Sequence, residues 1–172
     1  MVTSTYNKFN TAVEGFANGM FHASTLGDTF SFLLTNTLPT STWRSSTENT
    51  AISTGNGYSA LGSTCGLTSS TLGSTTTVPT PVIVLGSTVV FTASSANSTA
   101  GIGPFRYAVF LDQSTAGIIN TTSSTGVFPG NFSGYVGPFL ISWYDYGSAI
   151  TLTPGETFTI SPDGSSGIFQ IA

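Results

Sequence analysis

Apolar and polar positions alternate along most of this chain, with the two-residue period of half-buried β-strands. In the stretch 28–36, Phe30, Phe32 and Leu34 fall on one face, and Ser or Thr side chains fall on the other. Similar runs bounded by Gly, Pro, Asn or Asp occur at 82–85, 88–92, 104–112, 139–146, 149–153, 157–160 and 167–171. Short strands and turns at this spacing predict an all-β antiparallel sandwich or jelly roll. The run 104–112 is apolar on both faces and is predicted to be central.

The first 26 residues carry a helical period instead. Apolar side chains recur three or four residues apart, at Phe9, Ala12, Val13, Phe16 and Met20. Thr5 is a candidate N-cap and Gly19 a candidate end, so a short amphipathic helix is predicted within an arm spanning 1–26. The helix either packs on the domain through its apolar stripe or docks on a neighbouring subunit.

One excursion, 113–137, is too long for an ordinary hairpin loop. It contains six large apolar residues: Ile118, Ile119, Val127, Phe128, Phe132 and Tyr135. Such side chains are poorly placed on a bare loop tip. We therefore expect this insertion to reach another subunit and to order on contact, which makes these six the candidate interface residues. The whole chain, 1–172, is expected to form a single β domain.

Hydroxyl groups supply most of the polarity. The chain has 25 Ser and 30 Thr, whereas charged residues make up 6%, against about 25% in typical soluble domains. Lys8, Arg44 and Arg106 are the three cations and are too scattered to bind a nucleic acid backbone. No apolar run reaches the length of a membrane span, and the first residues do not predict a secretory leader.

Cysteine and histidine are almost absent, with Cys65 and His22 as single examples. One cysteine makes no internal disulfide or Cys-based zinc site, and its thiol is expected to be free in a reducing cytoplasm. One imidazole among apolar neighbours is a poor basis for Ser-His-Asp catalysis. We therefore expect no metal, no cofactor and no enzymatic activity.

Two charged residues in the aromatic strands invite a closer interpretation. Asp145 lies among Trp143, Tyr144 and Tyr146, and such aromatic surroundings are what a sugar-binding site would provide. A glycosidase, however, also needs a second carboxylate opposed to the first. Core and rim packing is the expected role of these aromatics. Arg106 is expected to pair with Asp145 or Glu156, and its removal would be costly if the pair is buried. The alternative is a guanidinium that reaches water at the sheet edge.

Five tracts spread over most of the chain stand out as motifs: 36–39 (NTLP), 55–58 (GNGY), 103–109 (GPFRYAV), 143–152 (WYDYGSAITL) and 154–158 (PGETF). With the N-terminal helix, they resemble a family of small Ser/Thr/Gly-rich β-structured virion proteins of tailed bacteriophages. The chain departs from that pattern between Asp112 and Phe139, where related chains have a shorter loop. The resemblance implies a structural role in the particle and carries over no catalytic or ligand-binding residue.

These observations lead to the expectation of a capsid decoration, or cement, protein made in the host cytoplasm and located on the capsid surface. It would bridge neighbouring subunits of the phage major capsid protein, as a homotrimer whose symmetry matches three-fold positions of the shell. The alternative is a tail-associated or tail-fibre receptor-binding protein, with Trp143, Tyr144 and Tyr146 stacking on glycan rings. Nucleic acid and membrane are not expected partners.

Overall fold

The computed structural model describes residues 5–17, 29–43, 52–71, 82–94, 101–113, 138–161 and 169–171. Every strand pairing in these ranges is antiparallel. The elements are β1 (Thr5–Lys8), α1 (Asn10–Ala17), β2 (Phe30–Thr35), β3 (Ser63–Cys65), β4 (Leu67–Thr71), β5 (Val82–Gly86), β6 (Val89–Thr92), β7 (Ile102–Asp112), β8 (Phe139–Leu152), β9 (Thr157–Ile160) and β10 (Phe169–Ile171). The prediction of an all-β antiparallel fold is confirmed, and its sandwich or jelly-roll form stays a prediction.

The strands form a five-stranded sheet in the order β1-β8-β7-β2-β3, a three-stranded sheet β10-β5-β4 and a two-stranded sheet β6-β9. The chain passes between sheets through two short links, Gly66 after β3 and Ser87–Thr88 after β5. The links bind each other, because Ser87 N donates to Gly66 O (2.7 Å) and Gly66 N donates to Ser87 Oγ (2.9 Å). These hydrogen bonds hold the three sheets together at one corner.

The centre of the five-stranded sheet is buried on both faces. All six residues of β2 are buried, as are residues 107–112 of β7, which confirms the predicted central position of the 104–112 run. Phe110 stacks on Phe30 with ring centroids 5.5 Å apart and meets Phe32 at 5.1 Å. Ser31 and Thr35 on the hydroxyl face of β2 are buried as well, and the Ser31 hydroxyl donates to Leu61 O (2.9 Å).

The two-stranded sheet covers part of the five-stranded one. Val89 and Phe91 of β6 are buried, and Phe158 of β9 meets Phe105 of β7 edge-on at 5.0 Å. The same core cluster contains the central β2 and β7 side chains, so one continuous core joins these sheets.

Tyr58 completes the hydrogen bonding of β2 where β3 stops. The last residue pair between β2 and β3 is Phe32 with Ser63, so the next outward-facing backbone groups belong to Leu34. Leu34 N donates to the Tyr58 hydroxyl (2.9 Å), which donates to Leu34 O (3.2 Å). The chain turns directly before Tyr58, where Gly55, Asn56 and Gly57 all have positive φ, as the Gly-Asn-Gly sequence favours. Burial raises the pKa of Tyr58 to about 12.

The N-terminal arm differs from the prediction. Thr5 is not an N-cap but begins strand β1, which pairs with β8 with Tyr6 opposite Tyr144, and the helix starts at Asn10. Phe9 and Ala12 are buried against the sheet as expected, whereas Val13 of the predicted apolar stripe is 57% exposed. Thr11 takes part in the contact instead, its hydroxyl donating to Leu140 O (2.9 Å). The predicted helix end at Gly19, and Met20, lie outside the described ranges.

Candidate functional site

The pairing of β7 with β8 shifts register at three places, and the largest shift lies at Arg106. Tyr107 pairs with Asp145 and Phe105 pairs with Ile150, so residues 146–149 of β8 lie opposite Arg106 alone. All four of these residues are exposed. Gly147 has φ +96°, and a Cβ added there would meet no atom within 4 Å, so the segment stands clear of its surroundings. We call residues 146–149 the β8 bulge.

A bidentate ion pair holds the base of the β8 bulge. Arg106 donates from Nε to Asp145 Oδ1 and from Nη2 to Asp145 Oδ2, both at 2.8 Å. Asp145 Oδ1 also accepts from Gly147 N at 2.7 Å, which fixes the turn. The hydrogen bonds from Arg106, and then from Gly147, lower the pKa of Asp145, while the bonds to Asp145 raise the pKa of Arg106.

Exposure decides what this ion pair does. The side chains of Arg106 and Asp145 are 40% and 29% exposed. The predicted pairing with Asp145 is therefore confirmed, whereas the condition of a buried pair is not met. Both groups keep water contact, and ion pairs of this kind add little to stability. The fork geometry instead fixes the direction of both side chains.

Glu156, the other predicted partner of Arg106, serves a separate turn. It ends the turn at Pro154–Gly155, in which Glu156 N donates to Thr153 O (2.9 Å) and Gly155 has φ +90°. Glu156 Oε2 accepts from Thr153 N at 2.7 Å. Hydrogen bonding to Thr153 lowers the pKa of Glu156, so the exposed carboxylate is ionised at neutral pH.

Three aromatic side chains near this site were candidates for stacking on sugar rings. Trp143 packs on Phe9 (4.6 Å between centroids), and Tyr144 packs between Tyr6 (5.9 Å) and Phe32 (6.1 Å). Both are therefore half-buried packing residues.

Tyr146 of the β8 bulge remains open to solvent, with 36% of its surface exposed. Its ring meets Phe158 edge-on at 5.7 Å, and Phe158 in turn meets the buried Phe105 at 5.0 Å. This row of three rings runs from the core to the surface and fixes the position of Tyr146.

Several predicted residues fall outside the described ranges. They are the interface candidates Ile118, Ile119, Val127, Phe128, Phe132 and Tyr135, together with His22 and Arg44. The described chain includes Gln113, which still belongs to the sheet: Gln113 N donates to Thr29 O (2.7 Å) and its side-chain amide to Ser31 Oγ (2.8 Å).

The chemistry within the described ranges is sparse. No three His, Cys, Asp or Glu side chains of these ranges come together as a metal site would require, and none of their helices is long and apolar enough to cross a membrane. Cys65 is buried, its thiol donates to Ser87 O (3.4 Å), and burial raises its pKa, which disfavours the reactive thiolate. The lowered pKa of Asp145 is opposite to that of a glycosidase acid.

Sequence reasoning identified Arg106 and Asp145 but not the β8 bulge between them and Ile150. A signal was present, because Asp followed two residues later by Gly favours a turn in which the Asp side chain accepts the Gly N–H. The sequence pattern ended one strand at Tyr146 and resumed it at Ala149, which marks an interruption at Gly147 but not that the segment lies exposed opposite Arg106. Comparison with known protein families, with curated proteins and with solved structures found no match.

Proposed function

We propose that this chain is a structural protein of a tailed-phage particle, specifically a capsid decoration protein that binds the outer shell and bridges neighbouring major capsid subunits. The proposal is supported by the five sequence tracts that resemble such virion proteins and by the nature of the surface. Under this proposal the protein acts mechanically. Because it binds only the assembled shell, it stabilises the assembled state by mass action.

The observation that carries the proposal is an ordered β surface with few charges. On β6 and β9, the exposed side chains are Val90, Thr92, Thr157 and Thr159, arranged as directly opposed pairs. Burying such a face removes no charge from water, so a permanent contact costs little in desolvation. A surface of this kind suits a protein held in a dense assembly better than one that must stay free in solution.

Binding to shells tests the proposal. Purified protein added to shells that lack it is expected to saturate at a fixed ratio to the major capsid protein, with hundreds of copies per particle. Decorated shells are expected to resist heating better than bare shells, since binding at about 1,000 times Kd stabilises the bound state by about 4 kcal/mol. Absence of binding to shells, with the chain present on tails alone, would contradict the proposal.

The alternative role is a tail-associated or receptor-binding protein that recognises glycan. Exposed Tyr146 beside Arg106 is the observation in its favour, although Trp143 and Tyr144 are occupied by packing. Copy number separates the two roles, because a fibre component occurs in a few to a few dozen copies per particle. A gel-band ratio of this chain to the major capsid protein measures it directly.

A further inference from the structure

We propose that copies of this chain associate edge to edge through strand β9, which pairs antiparallel with β9 of a second copy. The contact would join the two β6-β9 sheets into one sheet of four strands. The inference does not rest on the proposed function, because the contact involves copies of this chain alone.

The two edges of the β6-β9 sheet differ. The turn before Tyr58 covers the edge on the β6 side, where Ser94 N donates to Asn56 O (2.7 Å). Gly57 of this turn lies so close to Thr92 O that an added Cβ would collide with it. On the other side of β9, no strand of the described ranges forms a pair. An open strand edge is a template on which a further strand can bind.

The open edge of β9 presents the backbone groups of Thr157 and Thr159. In an antiparallel pair of strands, bonded residue pairs alternate with pairs whose backbone groups point outward. Ala93 N donates to Glu156 O (2.9 Å), so the bonded positions of β9 continue at every second residue, with Phe158 next. The N–H and C=O groups of Thr157 and Thr159 therefore point away from β6.

β9 lacks the features that keep edge strands apart. Natural edge strands commonly carry a charge, a proline or a bulge that discourages pairing. Thr157–Ile160 (TFTI) contains neither a charge nor a proline, and it pairs with β6 residue for residue. By contrast, the edge strand β1 of the five-stranded sheet ends at the cation Lys8. The edge of β9 is thus built to accept another strand.

A second copy matches this edge by symmetry. A two-fold axis beside Phe158 places Thr157 of each copy opposite Thr159 of the other. Each of these two pairs exchanges two backbone hydrogen bonds, as outward-pointing groups of antiparallel strands do. All outward N–H and C=O groups of Thr157 and Thr159 in both copies are then satisfied by four bonds. The edge is therefore its own complement, and no other component is required.

No like charges meet in this arrangement. β6 and β9 contain no charged residue, and the charge nearest to β9 along the described chain is Glu156, directly before it. Glu156 falls opposite Ile160 of the second copy, so the two Glu156 residues are offset by four residues, about 13 Å along the strands. This offset exceeds the screening length of about 8 Å at physiological ionic strength.

The exposed face of the sheet continues across the contact. Val90 lies opposite Thr159 and Thr92 lies opposite Thr157, and all four side chains are exposed. Each row of the joined sheet would contain Val90 and Thr159 of one copy, followed by Thr157 and Thr92 of the other. Neighbouring β-branched side chains of this kind are favoured cross-strand pairs. Four bonds along one short strand cover less area than a stable dimer needs, so the association is expected at high protein concentration.

Cysteine variants of the full-length protein test the register. Opposed bonded residues have Cα atoms about 5.5 Å apart, within reach of a disulfide. A mixture of Thr157→Cys and Thr159→Cys chains, oxidised with glutathione disulfide, is expected to give a species of twice the 17.7 kDa of one chain. Thr157→Cys mixed with Val90→Cys is the matched control, because Val90 lies on the same face but one strand further from the contact. No linked species from the first mixture, or an equal yield from the control, overturns the inference.

Sedimentation equilibrium from about 10 to about 500 μM tests the association itself. The average mass of the wild type is expected to rise with concentration, and Thr159→Val, which keeps the backbone N–H and the branched shape, should behave alike. Thr159→Pro removes the outward N–H, which β6 does not use, and is expected to raise the dissociation constant at least about tenfold. Thr157→Lys adds a charge to the edge without changing the backbone and should have the same effect.

Circular dichroism of each variant establishes that the chain is folded at these concentrations. A wild type that keeps the mass of one chain up to about 500 μM overturns the inference and leaves the edge to a strand of another protein. Association of both Thr159→Pro and Thr157→Lys with the affinity of the wild type overturns it as well, since the contact would then lie elsewhere.

Discussion

β7 pairs with β8 along most of its length, yet two regions of this pairing are built on different principles. At residues 108–111, β7 is buried on both faces and bonded on its other side to β2. Around Arg106, β8 leaves the pairing for four exposed residues, and an ion pair at the surface takes the place of backbone bonds. The first region is made of aromatic and aliphatic side chains, whereas charged, hydroxyl and glycine residues make the second.

The comparison shows that burial of apolar side chains stabilises the fold, whereas the ion pair positions side chains at the surface. Burial of apolar surface is worth about 25 cal/mol per Å², and it is concentrated in the β2–β7 centre. A half-exposed ion pair adds little stability, but its two parallel hydrogen bonds fix the direction of both side chains, and Asp145 also binds Gly147 N in the turn. Substitutions in the centre should therefore change stability, and substitutions at the bulge should change local order.

Shortening a central aromatic side chain should have the largest effect. Phe110 is fully buried between Phe30 and Phe32, so Phe110→Ala leaves a cavity and is expected to lower the free energy of unfolding by about 3–5 kcal/mol. Urea unfolding followed by fluorescence measures it. Val90→Ala, at a side chain 49% exposed, is the control and should cost far less. A loss below about 1 kcal/mol for Phe110→Ala would show that the core is loosely packed there.

A methyl group at Gly62 should be nearly as costly. Gly62 has φ +73°, and an added Cβ would collide with the carbonyl of Phe32 in the central strand β2. Gly62→Ala is expected to lower the free energy of unfolding by about 2–4 kcal/mol, through the left-handed backbone and the collision together. Gly155→Ala isolates the backbone contribution, because φ is +90° and nothing lies within 4 Å. Equal losses at the two positions would contradict the close approach of Gly62 to β2.

Alkaline pH should lower the free energy of unfolding through the buried hydroxyl group of Tyr58. The folded protein holds the Tyr58 proton up to a pKa of about 12, whereas the unfolded chain releases it near the ordinary value of about 10. Between these pH values the unfolded state binds fewer protons, so the free energy of unfolding falls as pH rises, by up to about 3 kcal/mol. Below about pH 10 this contribution is complete and constant. Chemical unfolding at a series of pH values gives the slope, which should be smaller in Tyr58→Phe.

At neutral pH, Tyr58→Phe tests the hydrogen bonds alone. The ring is kept, but Leu34 N and Leu34 O lose their partner in a buried strand. The expected loss is about 1–3 kcal/mol, the cost of buried backbone groups without partners. Amide exchange at Leu34 should accelerate more than at Val109, a buried residue of β7 that pairs with Leu33. Unchanged exchange at Leu34 would mean that another group takes over the role of the hydroxyl.

The regular strands of this fold can be predicted from the sequence because the local hydrophobic period and the burial of the side chains agree there. The runs 104–112 and 28–36 are apolar enough to become central strands, and the Gly55-Asn56-Gly57 turn is dictated by the positive φ that glycine and asparagine tolerate. The N-terminal strand could not be predicted in this way. Thr5–Lys8 becomes a strand because β8 offers an edge to pair with, and that long-range contact overrides a local helical period.

The geometry of the Arg106–Asp145 site was even harder to predict from the sequence than the N-terminal strand. Pairing of Arg106 with a carboxylate followed from charge alone, but the choice of Asp145 over Glu156 depends on how the strands are aligned. The exposure of the pair depends on the β8 bulge, and the break between the runs 139–146 and 149–153 does not tell which β7 residue lies opposite it. A pattern of residue types records which side chains are available, and register decides which of them meet.

The smallest expected change in stability, and the sharpest test of the contrast, is at Arg106. Arg106→Gln removes two bonds to Asp145 from a half-exposed site, and the melting temperature is expected to change by no more than about 3 °C. The bulge should nevertheless respond, because Arg106 lowers the pKa of Asp145, whose Oδ1 binds Gly147 N. A group with a lowered pKa keeps its bond above that pKa and loses it as pH falls. The Gly147 amide signal should therefore titrate at higher pH in the variant, towards the ordinary aspartate value of about 4, while Lys8→Gln leaves it unchanged. An identical titration in wild type and variant would show that the ion pair does not order the bulge, and a large fall in melting temperature would show that the charge is buried after all.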